Sequence, residues 1–188
     1  MNTIGIIPVR MDSTRFYGKP MANICGIPMV GHCFYRSCLA LGSNKVFVAT
    51  CDKIIADYII SIGGQVVLTS KKHKRATTRT AEAKRKIEKK YKDKIEAIVM
   101  IQGDEPTINN KSISEVAKEL KKSKKNIINL VSIINSEKNL RDQNNVKVIL
   151  NKNRQAIYYS RYPIPFLIDK SKKTDFYMQT GIIGFKSS

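Results

Sequence analysis

The stretch Ile4-Gly5-Ile6-Ile7-Pro8-Val9-Arg10-Met11-Asp12-Ser13-Thr14-Arg15-Phe16-Tyr17-Gly18-Lys19-Pro20 decides how the rest of the chain is read. Residues 4–9 form an apolar, largely β-branched run with the length of one buried strand. A polar loop follows at once, carrying Arg10, Ser13, Thr14, Arg15, Gly18 and Lys19. In an open α/β sheet, ligands sit beyond the carboxyl ends of the strands, which is where this loop falls. Guanidinium forks take phosphate oxygens in pairs, whereas a lysine ammonium acts as a point charge. Glycine lets backbone N–H groups approach closely enough to join in. The loop therefore suits an anion with several phosphates; a plain basic surface loop is the alternative. It is no Walker P-loop, because Pro20 follows Gly18-Lys19 and the earlier glycine of that motif is missing. A G-x-G-x-x-G fingerprint is absent as well.

Outward from that loop, the pattern alternates. Residues 21–27 read as a short extended piece with a Cys-Gly turn. Pro28 suits the first turn of a helix whose Val30, Phe34, Cys38 and Leu41 recur at helical spacing, with Gly42 as its stop. Residues 45–50 are a second strand, Cys51-Asp52 caps a helix over 53–62, and residues 65–68 are a third strand. Two strand–helix–strand units in succession predict a mostly parallel central sheet with helices on both faces. A charged helix over 79–92 leads to residues 97–102, a strand apolar on both faces. Ser112 is expected to cap a helix to about residue 122, and residues 127–134 to form another strand. Residues 146–150 and 155–160 read as a hairpin across Asn151-Lys152-Asn153, so the later portion turns antiparallel. A long loop over 161–175 and a last strand over 178–186 complete an α/β, Rossmann-like arrangement expected to be a single domain, 1–188.

Composition bounds the function. The 188 residues carry 34 Lys and Arg against 15 Asp and Glu, a net charge of +19. Such an excess suits a nucleic acid or an anionic small substrate. The lysine runs at residues 71–74, 84–94, 118–125 and 170–173 have little aromatic interleaving, however. They read mainly as solvated faces in a chain generally rich in Lys, Asn and Ile. A basic RNA-binding protein is disfavoured for the same reason, since no aromatic stacking platform is evident. No apolar run is long enough to cross a membrane, and no signal peptide is visible. Cys25, Cys33, Cys38 and Cys51 form no C-x-x-C pair, and only His32 and His73 could supplement them. That spacing does not suit zinc, and the free cysteines fit a reducing, cytoplasmic setting.

A second landmark follows the strand at 97–102: Gly103-Asp104-Glu105-Pro106. A carboxylate at the tip of that strand should project into the same crevice as the first loop. Opposite Arg10, Arg15 and Lys19 it is placed to hold Mg²⁺ against phosphates, since magnesium takes one or two carboxylates and fills its remaining positions with water and phosphate oxygens. Glu105 should point elsewhere, because neighbours leaving a strand diverge. An Asp that only stabilises its own turn is the alternative; the partnership with the first loop favours the metal.

Together, Ile7-Pro8-x-Arg10-x-x-Ser13-Thr14-Arg15-x-x-Gly18-Lys19, Gln102-Gly103-Asp104-Glu105-Pro106 and Tyr159-Ser160-Arg161 closely resemble the 3-deoxy-manno-octulosonate (Kdo) cytidylyltransferases, the CMP-Kdo synthetases. Asn145-Val146-Lys147-Val148 and Gly181-Ile182-Ile183-Gly184-Phe185 match in order and spacing. The resemblance implies a Mg²⁺-dependent, cytoplasmic nucleotidyltransferase of lipopolysaccharide precursor synthesis. It would transfer CMP from CTP to the anomeric hydroxyl of Kdo and release pyrophosphate. By motif position Arg10, Ser13, Arg15, Lys19 and Gln102 would hold the nucleotide, and Asp104 the metal. Arg10, Lys19 and Asp104 would serve the chemistry, while Arg79, Arg161 and Gln179 would meet the sugar acid. The resemblance also implies a homodimer, with Tyr162-Pro163-Ile164-Pro165-Phe166 a candidate contact, and no nucleic-acid or membrane partner.

Departures from the family pattern gather on the sugar side. Ala76-Thr77-Thr78-Arg79 replaces Gly-Thr-acid-Arg, Gln179 replaces a common His, and Phe185 replaces a common Tyr. In the first loop, Tyr17 replaces the usual Pro. A cytidylyltransferase for a different ulosonic acid is therefore a second expectation. The family pattern also continues beyond residue 188 with a second metal carboxylate. The chain is thus expected to be C-terminally incomplete, which leaves turnover open and a non-catalytic nucleotide-binding fragment as a third reading.

Overall fold

The computed structural model describes residues 2–12, 16–166 and 174–187. Along the chain run β1 (Thr3–Pro8), β2 (Asn23–Ile24), β3 (Ile27–Pro28), α1 (Met29–Leu41), β4 (Val46–Thr50), α2 (Lys53–Ser61) and β5 (Gln65–Leu68). Then come α3 (Ala76–Tyr91), β6 (Ala97–Ile101), α4 (Asn110–Lys122), β7 (Ile127–Ile133), α5 (Glu137–Arg141), β8 (Lys147–Leu150), β9 (Ala156–Ser160) and β10 (Tyr177–Lys186). The chain divides into two compact units, Met1–Ile128 with Gly181–Ser188, and Asn129–Thr180.

In the first unit the strand order is β5-β4-β1-β6-β10. The pairs β5–β4, β4–β1 and β1–β6 are parallel. Strand β10 runs antiparallel to β6, with Ile182 opposite Ile101 and Lys186 opposite Ala97. Parallel neighbours need a crossover, and α1, α2 and α3 provide it. Every residue of β1, β4 and β6 is buried, so both faces of the sheet must be covered. Alternation along the strand divides the work. Ile4 and Ile6 join Phe47, Ala49, Ile95 and Ile98 in a core closed by Ala83 and Ile87 of α3. Gly5 faces the other side, where a Cβ would run into Leu41 of α1. Because these strands are parallel, their carboxyl ends share one edge of the sheet. Arg10, Asp52, Thr69 and Gln102 follow those ends and are gathered there by topology.

The helix boundaries correct several expectations. The α4 cap is Asn109, whose side chain accepts from the Lys111 N–H at 2.9 Å; Ser112, three residues on, instead lies inside the helix. Asp52 occupies the N-cap position of α2 but makes no cap hydrogen bond. Helix α3 begins at Ala76 rather than Arg79, which carries Arg79 into its buried face. The sequence pattern contained no forecast of α5, a five-residue helix capped by the Ser136 hydroxyl. The Cys-Gly turn is present between β2 and β3, with φ of 50° at Cys25 and 85° at Gly26. That pair of left-handed residues is what a two-residue hairpin of this twist requires.

In the second unit, β8 and β9 pair antiparallel, with Val148 opposite Tyr159. Asn151 ties their loop, its Oδ1 accepting the N–H groups of Asn153 and Gln155 at 2.9 Å each. The first residues of β10 lie beside β8, Tyr177 opposite Val148 and Met178 opposite Lys147. Lys147 is fully buried. Its ammonium donates to three main-chain carbonyls, of Asp142 (2.7 Å), Asn145 (2.9 Å) and Arg161 (2.8 Å). A buried cation is tolerated only when its hydrogens are satisfied, and here the turn over 142–145 and the carbonyl of Arg161 satisfy them.

Candidate active site

The first loop leaves β1 beside the end of β4, the Val9 N–H bonding to the Ala49 carbonyl at 2.9 Å. The Asp52 carboxylate accepts the Met11 N–H at 2.8 Å. Met11 in turn accepts the Gly18 N–H at 3.0 Å, closing the loop on itself. Gly18 has a φ of 76°, a left-handed value that favours glycine. It delivers Lys19 into a short turn, Lys19–Met21, anchored by buried Pro20. Ser13, Thr14 and Arg15, of which Ser13 and Arg15 are expected nucleotide contacts, lie outside the described residues.

The second landmark leaves β6 through Gly103. A Cβ there would press on Val9 and Ile7 at 3.2–3.3 Å, so the turn's close fit against the end of β1 favours glycine. Asp104 then projects outward and its Oδ2 meets the Lys19 ammonium at 2.8 Å. The two side chains remain 34% and 46% exposed, open to a ligand on the solvent side. Gln102 is fixed through its main chain, its N–H donating to the Gly181 carbonyl at 3.0 Å. Glu105 turns away from Asp104, and its carboxylate accepts the Gly181 N–H. Burial first, then the neighbouring Asp104 charge, push the Glu105 carboxyl above its ordinary range.

Arg10 engages a different neighbour. Its guanidinium donates to the His73 carbonyl at 3.4 Å and lies 4.0 Å from the exposed Asp12 carboxylate. The loop carrying His73 is organised by Glu82 of α3. Glu82 accepts the Ser70 N–H at 3.1 Å, pairs with Lys86 at 2.8 Å and bonds the His73 ring. The Lys86 bond, opposed by burial and helped by Ser70 and His73, lowers the Glu82 carboxyl to about 2. Neither Asp52 nor Glu82 was found from the sequence. The only signal was the Glu82–Lys86 spacing, which favours an ion pair along the helix but says nothing of the loop it holds.

Arg79 is 3% exposed. One guanidinium nitrogen donates to the Thr69 hydroxyl, while Nη2 is buried without an acceptor among the described residues. Buried donors are normally paired, so this one marks a place where an acceptor fits. Arg161 and Gln179 belong to the second unit. The Arg161 guanidinium donates to the Gln143 carbonyl at 2.7 Å, and the Gln179 N–H to the Val146 carbonyl at 2.8 Å.

Among the described residues no three His, Cys, Asp or Glu side chains cluster as a metal cage. Asp104 presents a single carboxylate with one oxygen already held by Lys19. That donor set fits a magnesium ion whose remaining ligands are phosphate oxygens and water, and does not fit one caged by protein alone. No helix among the described residues is long and apolar enough to cross a membrane.

Comparison with known proteins gives the family. Residues 4–188 match the family model described as cytidylyltransferase. A 3-deoxy-manno-octulosonate cytidylyltransferase of Thermodesulfovibrio yellowstonii is 38% identical over 98% of this chain and 75% of its own length. That of Parabacteroides distasonis is 39% identical over 100% of this chain and 76% of its own. A solved CMP:2-keto-3-deoxy-manno-octonic acid synthetase complexed with CTP superposes with a TM-score of 0.87 at 27% identity. That match covers 99% of this chain and 74% of the synthetase. On sequence, fold and the order of its motifs, the chain belongs to the 3-deoxy-manno-octulosonate cytidylyltransferase family.

Proposed function

We propose that this chain transfers CMP from CTP to the anomeric hydroxyl of Kdo and releases pyrophosphate, supplying an activated sugar for lipopolysaccharide precursors. The hydroxyl oxygen forms a bond to the α-phosphorus, the α–β anhydride bond breaks with its electron pair leaving on pyrophosphate, and the hydroxyl proton passes to solvent. The observation that carries this reading is the Lys19–Asp104 contact, at 2.8 Å, where the loops after β1 and β6 meet. Transfer of this kind depends chiefly on alignment and on stabilising charge at the non-bridging and leaving oxygens. Lys19, held by Asp104, offers a fixed cation to the leaving pyrophosphate. Arg10 adds a second cation beside the loop at His73, with Ser13, Arg15 and Gln102 completing the nucleotide contacts.

Asp104 is the residue that would hold Mg²⁺, which when bound supplies a positive charge shared with the phosphate oxygens. The Nη2 of Arg79, without an acceptor among the described residues, supports a role for that residue toward an acidic ligand, with Arg161 and Gln179 as further sugar-acid contacts. A homodimer in the cytoplasm is part of the same reading. Pyrophosphate release from CTP and Mg²⁺ with a panel of sugar acids tests it: Kdo should be the best acceptor. Release with another ulosonic acid and none with Kdo would transfer the proposal to that acid, the reading that the Ala76-Thr77-Thr78-Arg79 segment favours.

A further inference from the structure

Beyond the residues that meet substrate, Glu105 is held through both its main chain and its side chain. Its carbonyl accepts the Ile108 N–H at 3.1 Å. Its carboxylate accepts the Gly181 N–H, while the carbonyl of Gly181 accepts from Gln102 at 3.0 Å. One residue of β10 thus grips the turn at both ends, two residues before Asp104 and one after it. The space is filled as well: a Cβ on Gly181 would collide with the Glu105 carboxylate, its Cδ at 2.6 Å and Oε2 at 3.0 Å. A Cβ at 181 would therefore push the Glu105 carboxylate off its seat. Asp104, between these fixed points, has its carboxyl directed to Lys19.

We propose that Glu105 is a positioning residue. Clamped on Gly181, it sets the direction of the Asp104 carboxylate without itself touching metal or nucleotide. A turn pinned only at Gln102 would leave the Asp104 main chain free to rotate, whereas pinning both sides leaves one orientation. Removing a residue that orients a metal ligand in this way typically costs about 10- to 100-fold in metal affinity. The inference rests on the assignment of Asp104 to metal and phosphate, so its test reads the clamp and that assignment separately.

The variants are Glu105→Ala, Glu105→Gln, Gly181→Ala and Asp104→Asn. The readouts are hydrogen exchange over residues 102–108 and 181–184, and the Mg²⁺ concentration needed for half-maximal CTP binding by calorimetry. Glutamine keeps the shape and an oxygen that accepts the Gly181 N–H. Glu105→Gln should therefore keep exchange and Mg²⁺ requirement within about twofold of the parent. Glu105→Ala and Gly181→Ala should each speed exchange at the clamp and raise the Mg²⁺ requirement about tenfold, the lower end for a residue that supports a ligand. Combining them should add little, since both remove one contact. Unchanged exchange in Glu105→Ala overturns the clamp, whatever the nucleotide does. A Glu105→Gln variant as impaired as Glu105→Ala also overturns it, because the charge would then be acting directly. If Asp104→Asn binds Mg²⁺–CTP like the parent, the assignment of Asp104 fails while exchange still judges the clamp.

Discussion

Lys19 Nζ lies 2.8 Å from Asp104 Oδ2, joining two loops 85 residues apart in sequence. Both side chains are more than a third exposed or close to it, so the contact contributes little to stability, at most about 1 kcal/mol. Its value is positional. Lys19→Met should therefore unfold within about 1 kcal/mol of the parent in denaturant titration. Turnover, followed as pyrophosphate release, should fall by about 100-fold, the scale of losing one fixed charge at a transition state. Equal losses in stability and activity would contradict this division.

Glu82 fastens the loop beneath Arg10, and its pH signature has a definite sign. Its folded carboxyl is lowered from 4.5 to about 2, chiefly by Lys86. The stabilisation is therefore fully present above the unfolded value and is lost as pH falls toward the folded one. Relative to the parent, Glu82→Gln should be less stable by roughly 2 kcal/mol at pH 7, allowing for screening at the half-exposed Lys86. That difference should shrink through the window from 4.5 to about 2. Denaturant unfolding of both proteins across those pH values measures it.

Lys147 answers to a different rule. Replacing its ammonium by an apolar end of similar length takes a donor from the carbonyls of Asp142, Asn145 and Arg161, of which, among the described residues, only Asp142 keeps another, the Asn145 N–H. Each orphaned acceptor costs about 1–3 kcal/mol, with partial relaxation expected. Lys147→Met should destabilise the second unit by about 3 kcal/mol, read from amide exchange in β8 and β9. A change below about 1 kcal/mol would show that the carbonyls find other partners.

The α4 cap separates two assignments cleanly. Asn109→Ala should cost about 1 kcal/mol, the usual loss at an N-cap. Ser112→Ala, within the helix, should be close to neutral or slightly stabilising, since alanine is the better helix former. The reverse order in thermal unfolding would restore Ser112 as the cap.

The sheet was legible because its signal is repetitive and local. Residues 4–9, 46–49 and 97–101 are apolar on both faces, and only a sheet covered on both sides accommodates such strands. The hairpin at Asn151-Lys152-Asn153 was legible from its turn residues. Caps were misplaced where two candidates compete within a turn, as Asn109 and Ser112 do. Asp52 sat at a cap position and was read as a cap, yet its carboxylate serves Met11 across 41 residues. Such long-range hydrogen bonds leave no periodic trace. Of the candidate site, the meeting of Lys19 with Asp104 followed from two motifs ending on one edge of the sheet. The engagement of Arg10 with His73 did not, because it depends on how Glu82 folds a loop 63 residues downstream.

The central claim is most directly tested by ³¹P NMR of the chain incubated with CTP, Kdo and Mg²⁺, beside its Asp104→Asn variant. The account predicts a new phosphodiester resonance growing in step with pyrophosphate, one for one, in the parent and at least 100-fold slower in the variant. Loss of CTP signal without a phosphodiester product, or equal rates in the two proteins, would contradict it.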